Sequence, residues 1–207
     1  MFYCRFTLFT FLCFLFFVCT GKSTFAQQQR ILHPVADAVL LSHHPNNNYK
    51  HDIAIACGVM TTNGVPYTAR TLIQFDLSVI PRNATILSVE LRFYGFQHEI
   101  YGRPNAFRLS RLRSVWQEQR VSWSMQPLPL SGAAVVQHPG VSSTKENVVL
   151  QSPALLQHVK DMVRDPRSNF GWIVQLDDER NPYAMLRFAA REHDDLQKLP
   201  VLVVQYQ

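Results

Sequence analysis

The chain has 207 residues, 47% of them hydrophobic and 17% charged, with 20 Lys and Arg against 15 Asp and Glu. That length suits one domain with its own core. No block of Lys or Arg interrupts it, which argues against a nucleic-acid partner.

Residues 1–26 read as a leader outside the fold. Arg5 precedes an apolar run over residues 6–19, which is 14 residues and short of the roughly 20 that a spanning helix needs. Gly21-Lys22-Ser23-Thr24 follows, then Phe25-Ala26. Small residues at the last and third-last positions predict a secretory cleavage after Ala26. Its removal takes Arg5 and Lys22 and no acid, leaving a balance of +3. Cys4, Cys13 and Cys19 leave with it, so Cys57 stands alone and no internal disulfide forms. Cys57 closes the run Ile53-Ala54-Ile55-Ala56-Cys57, which predicts a buried small hydrophobe.

Residues 27–33 read as a polar lead-in and 35–41 as a first strand, with Asp37 the odd polar residue between two alanines. His43-His44-Pro45-Asn46-Asn47-Asn48-Tyr49 has the composition of a loop. A strand is predicted over 53–57, and Asn63-Gly64 predicts a hairpin turn. Residues 70–77 form an apolar, β-prone run that stops at Pro81. In the run over 85–95, Leu87, Val89, Leu91 and Phe93 alternate with Ser88, Glu90, Arg92 and Tyr94, the pattern of a strand with one face on a core.

Residues 105–111 alternate again. Two tryptophans, Trp116 and Trp123, then fall in a short irregular stretch that needs somewhere to pack them. A strand is predicted over 148–150. Ser152 and Pro153 make a helix start, and Leu155, Leu156, Val159, Met162 and Val163 make its apolar stripe until Asp165-Pro166 ends it. Strands over 169–176, 185–189 and 201–206 complete the chain. About ten short strands and a single helix predict an all-β fold, a jelly-roll-like antiparallel sandwich, with the domain over 31–207. No strand–helix alternation suggests a nucleotide-binding parallel sheet.

Several segments, taken together, resemble a known family. They are Ala36-Asp37-Ala38, Pro45-Asn46-Asn47-Asn48-Tyr49, Phe75-Asp76-Leu77-Ser78-Val79-Ile80-Pro81 and the strand at 86–94. Trp116-Gln117-Glu118, Val121-Ser122-Trp123-Ser124-Met125-Gln126-Pro127, Asn169-Phe170-Gly171, Arg191-Glu192 and the ending at 199–206 follow in the same order. The set is similar to the DNRLRE-domain family, also grouped as carbohydrate-binding module family 96. The resemblance covers about residues 34–206. It implies a jelly-roll-like sandwich on secreted or surface proteins, with acidic polysaccharides such as alginate as ligands for some members.

An acidic sugar polymer needs cations for its carboxylates, Arg above all, and aromatic faces for its C–H groups. Arg92, Tyr94, Arg108 and Arg187 point outward from alternating strands, and Tyr101 and Arg103 sit in an adjoining loop. If the strands share a sheet, these six make a basic, aromatic-containing face. Trp116, Trp123 and Trp172 read as packing residues. Asp37 and Glu192, with Asp194 nearby, are the candidates for a structural calcium of the kind jelly-roll modules often hold, though calcium wants six to eight oxygens. His43, His44 and His51 lack metal-site spacing. Glu90, Glu99 and Glu118 offer no readable catalytic pair. Asn83-Ala84-Thr85 is a glycosylation sequon in a eukaryotic host.

The expectation is thus a secreted, non-catalytic module binding an acidic polysaccharide, with no cofactor unless calcium. The alternatives are a structural or adhesive surface protein with a protein partner, and a polysaccharide lyase or hydrolase.

Overall fold

A computed structural model describes residues 26–96, 106–141 and 147–207. The elements in order are β1 (Gln28–Leu32), β2 (Pro34–Leu41), β3 (Ala54–Thr62), β4 (Val65–Phe75), β5 (Ile86–Phe93), β6 (Phe107–Arg111), β7 (Val136–His138), β8 (Val148–Leu150), α1 (Pro153–Arg164), β9 (Trp172–Leu176), β10 (Ala184–Ala189) and β11 (Val201–Tyr206). They form two antiparallel sheets. One pairs in the order β1-β11-β5-β8. The other follows the path β10-β3-β4-β9-β6-β7, with β2 also paired to β4. This is the predicted all-β sandwich. Among the described residues no helix is long and apolar enough to cross a membrane.

Alternation decides which side chains meet between the sheets. Val89, Leu91 and Phe93 of β5 join Ile73 and Phe75 of β4, Phe107 and Leu109 of β6, Trp172 and Val174 of β9 and Leu202 and Val204 of β11 in one core. The first part of β5 departs from expectation. Pairing with β11 shifts between Gln205 and Tyr206, so Ile86 turns inward and Leu87 is exposed.

The two strands flanking Pro81 do not pair with each other. β4 lies in one sheet and β5 in the other, so the turn between them crosses the sandwich. Buried Leu77 and Ile80 anchor that crossing. At Asn63-Gly64, φ values of 52° and 78° make the tight hairpin between β3 and β4.

α1 starts where predicted. The Ser152 hydroxyl accepts from the Leu155 N–H at 3.1 Å, and Pro153 fills the first turn. Its buried stripe is Leu155, His158, Val159, Met162 and Val163. His158 joins the stripe because its ring is fully used, and Leu156 packs half-buried against the same core. Trp172 Nε1 donates to His158 Nδ1 at 3.1 Å, and His158 Nε2 lies 2.7 Å from the Ala134 carbonyl. The pair assigns the proton to Nε2. Burial lowers the His158 pKa.

Two strands lie outside the expectation. β1 is an edge strand whose residues are exposed apart from half-buried Leu32. It carries no apolar alternation and is held by its ladder to β11. β7 is three residues long, in a stretch for which no strand is predicted. Cys57 is buried, and burial pushes its thiol up.

Candidate functional site

Four of the six residues expected to form one basic face are described, and their three arginines do not lie together. β5, which carries Arg92, belongs to the four-stranded sheet, whereas β6 with Arg108 and β10 with Arg187 belong to the other. The shared-sheet condition therefore fails. Within the second sheet, β9, β4 and β3 separate β6 from β10 along the pairing path. Each of these arginines also has a carboxylate of its own. Arg92 is paired to Glu90, and the Glu90 and Tyr94 side chains raise its pKa. Arg108 lies 3.4 Å from Asp177, and Arg187 lies 4.0 Å from Asp52 while packing over the Phe96 ring at 5.0 Å. Tyr101 and Arg103 lie outside the described residues, as does Glu99.

The tryptophans pack, as the sequence predicted. Trp172 is in the main core. Trp116 and Trp123 lie with Phe170 against a second cluster of Ala38, Leu40, Leu72, Leu112, Val121 and Ile173. This cluster covers the outward face of β4 and β9. Trp116 Nε1 donates to the Phe170 carbonyl at 2.9 Å. Asn48 Nδ2 donates to the carbonyls of Glu118 and Val121, both at 2.7 Å. The Arg70 guanidinium stacks 4.7 Å over the Trp123 ring while gripping both oxygens of Glu179.

A polar network adjoins this plug. Glu118 Oε1 accepts from the Asp37 N–H at 3.0 Å and from Arg191 Nη2 at 2.7 Å. The same Nη2 lies 2.7 Å from Glu192 Oε1, and the Arg191 N–H donates to Asp37 Oδ2 at 2.9 Å. Ligand atoms of Asp37, Glu118 and Glu192 all lie within 4.8 Å of one another. The two residues expected at a calcium site thus meet, and Glu118, from the segment Trp116-Gln117-Glu118, is the third acid.

Burial pushes Asp37 up to about 7, against the Arg191 N–H that lowers it, with Glu192 and Glu118 adding repulsion. The folded protein therefore holds this proton more tightly than the unfolded chain. The Asp37 contribution to stability is fully present below the unfolded value of 3.8 and is lost as pH rises through about 7. Asp37 is only 3% exposed, which leaves a sugar no access to it. Three side-chain acids make a calcium shell only where bidentate binding, waters or backbone carbonyls complete its six to eight oxygens. Moreover, a guanidinium already bridges two of them.

A different surface has the features of a ligand seat. Three adjoining hollows run along one end of the sandwich, the first between the 81–86 crossing and the ends of β1 and β11, the other two between that crossing and α1 with the turn after it. The first, ≈ 310 Å³, is lined by Asn83, Ala84 and Thr85 with Gln28, Tyr206 and Gln207. The second, ≈ 230 Å³, shares residues 83–85 and adds Arg82, Lys160 and Arg164. The third, ≈ 450 Å³, shares Arg82 and Arg164 and adds Asp165, Pro166 and Arg167.

The wall is stiff. Thr85 and Gln207 exchange both backbone hydrogen bonds, at 2.8 and 3.1 Å, and the Ala84 N–H donates to the Pro81 carbonyl at 2.9 Å. Arg164 is 2.7 Å from Asp161 and Arg167 is 3.4 Å from Asp165, but Arg82 and Lys160 have no ion-pair partner among the described residues. Sequence reading passed over this groove because its cations come from a turn and from one helix face, 78 positions apart. Neither shows a basic run.

No curated protein matches the chain. The fold, the two-tryptophan plug and the order of the segments that build it agree with a match to carbohydrate-binding module family 96 over residues 28–206, and the chain belongs to that family.

Proposed function

We propose that this protein is a secreted, non-catalytic module that binds an acidic polysaccharide, alginate-like in its chemistry. The family match across the whole sandwich carries the carbohydrate reading. The positive balance of +3 left after residues 1–26 supports an acidic polymer. The leader-like run over 6–19 supports export. Absence of catalysis is supported by the way the available acids are used, Glu90 on Arg92 and both Glu118 and Glu192 on Arg191. A glycosidase needs two carboxyl groups open to one substrate. Binding is then multivalent contact on a preformed surface, with no bond made or broken.

Affinity electrophoresis tests this directly. The protein should be retarded in gels containing alginate or pectin and run unchanged in a neutral glucan. Absence of retardation in every gel would sink the reading and favour an adhesive protein with a protein partner. Release of product from the same polymers would favour a lyase or hydrolase.

We propose further that the cation of the Asp37, Glu118 and Glu192 cluster is the Arg191 guanidinium and that no calcium is needed. Thermal melts in excess chelator and in millimolar calcium should coincide. A calcium-dependent rise of several degrees would overturn this.

A further inference from the structure

We infer that the groove between the 81–86 crossing and α1 is where the polymer's anionic groups, carboxylate or sulfate, are held, with Arg82 and Lys160 as the principal contacts. The inference rests on the polysaccharide reading and assigns it a place. Three observations carry it.

First, charge is unspent there. Arg92, Arg108 and Arg187 each have a carboxylate beside them, so a ligand must compete with a bond already made. Arg82 and Lys160 have no carboxylate partner among the described residues. Second, the cations converge from two independent elements. Arg164 and Arg167 lie at the C-terminal end of α1, where the helix dipole alone would favour positive charge. Arg82 comes from the opposite wall, on the crossing, where no dipole asks for it. A groove with cations on both walls meets an anionic chain from two sides.

Third, the seat is preformed. Buried Leu77 and Ile80 fix the crossing, and the paired backbones of Thr85 and Gln207 fix its far end, so little ordering is required on binding. The hollows run on from Arg167 past Thr85 to Gln28, which suits an extended polymer better than a single sugar. Asn83 and Thr85 supply neutral hydrogen-bonding groups for hydroxyls along the way.

Calorimetric titration of the purified protein tests the assignment, using an oligouronate, a sulfated oligosaccharide and a neutral glucan oligomer. The variant Arg82→Ala/Lys160→Ala should bind the acidic ligand about tenfold more weakly, with its melting midpoint kept. Arg92→Ala should bind as the parent does. Which of the two charged ligands binds more tightly separates carboxylate from sulfate recognition. In the parent protein, amide resonances of residues 82–86 and 160–164 should move on adding that ligand. Unchanged affinity in the double variant, or movement confined to the strands of Arg92 or Arg108, would overturn the groove while leaving the module reading intact. Failure of the parent to bind any of the three would instead remove the polysaccharide reading, and the groove with it.

Discussion

Gly171→Ala should cost at least about 3 kcal/mol of stability, read as a fall in the urea midpoint with an unchanged slope. The residue precedes β9 at φ 76°, a region that a side chain disfavours, and an added Cβ would lie 2.1 Å from the Ile73 carbonyl oxygen. That oxygen is backbone near the C-terminal end of β4, where Ile73 pairs with Trp172, so it cannot step aside without disturbing the ladder to β9. Gly64 is the internal comparison. It has φ 78° but open space around it. Gly64→Ala should therefore cost only about 1 kcal/mol, the backbone share alone. Equal losses in the two variants would show that the close approach to Ile73 contributes nothing.

Arg191→Ala comes next in size, with an expected loss of about 2–4 kcal/mol near pH 8. It strands three carboxylates within 4.8 Å, one of them nearly fully buried. The loss should shrink toward pH 5. Asp37 already sits at about 7, and without the guanidinium its proton is held more firmly still. With Asp37 protonated, the repulsion it exerts on the two glutamates disappears. Arg191→Lys should fall between the two proteins, because an ammonium supplies the charge but on a shorter stem must reach the point where the one nitrogen Nη2 meets both Glu118 and Glu192. Paired urea titrations at pH 5 and pH 8 read the difference directly. A deficit that does not change with pH would mean Arg191 acts through packing rather than charge.

How much of this the sequence disclosed follows from how local each signal is. The run from 86 to 94 carries its own period, so β5 and its buried face are legible without a partner strand. The one slip, at Leu87, arises from a bulge in the pairing with β11, more than 100 positions away. α1 announces itself through Ser152, Pro153 and its stripe. β1 does not, because Gln28, Gln29 and Arg30 gain their order from a ladder with the other end of the chain. The functional surface was less legible for the same reason. Outward-facing Arg92, Arg108 and Arg187 could be picked out by alternation, but alternation says nothing about which sheet a strand joins or which acid waits beside it.

The segments that resemble the family teach a related lesson. Asn48, Trp116, Glu118, Phe170 and Arg191 are far apart in sequence yet meet in the plug and the adjoining network. They mark how the outward face of β4 is capped.

Asn83 lines the groove with its side chain exposed, and it begins the triplet Asn83-Ala84-Thr85. A secretory pathway equipped with oligosaccharyltransferase would treat that triplet as an acceptor and could build a branched glycan across the mouth of the channel. Protein made in yeast or mammalian cells and protein made in bacteria would then differ at the one stretch of surface where a difference matters most, although their folds and melting curves agreed.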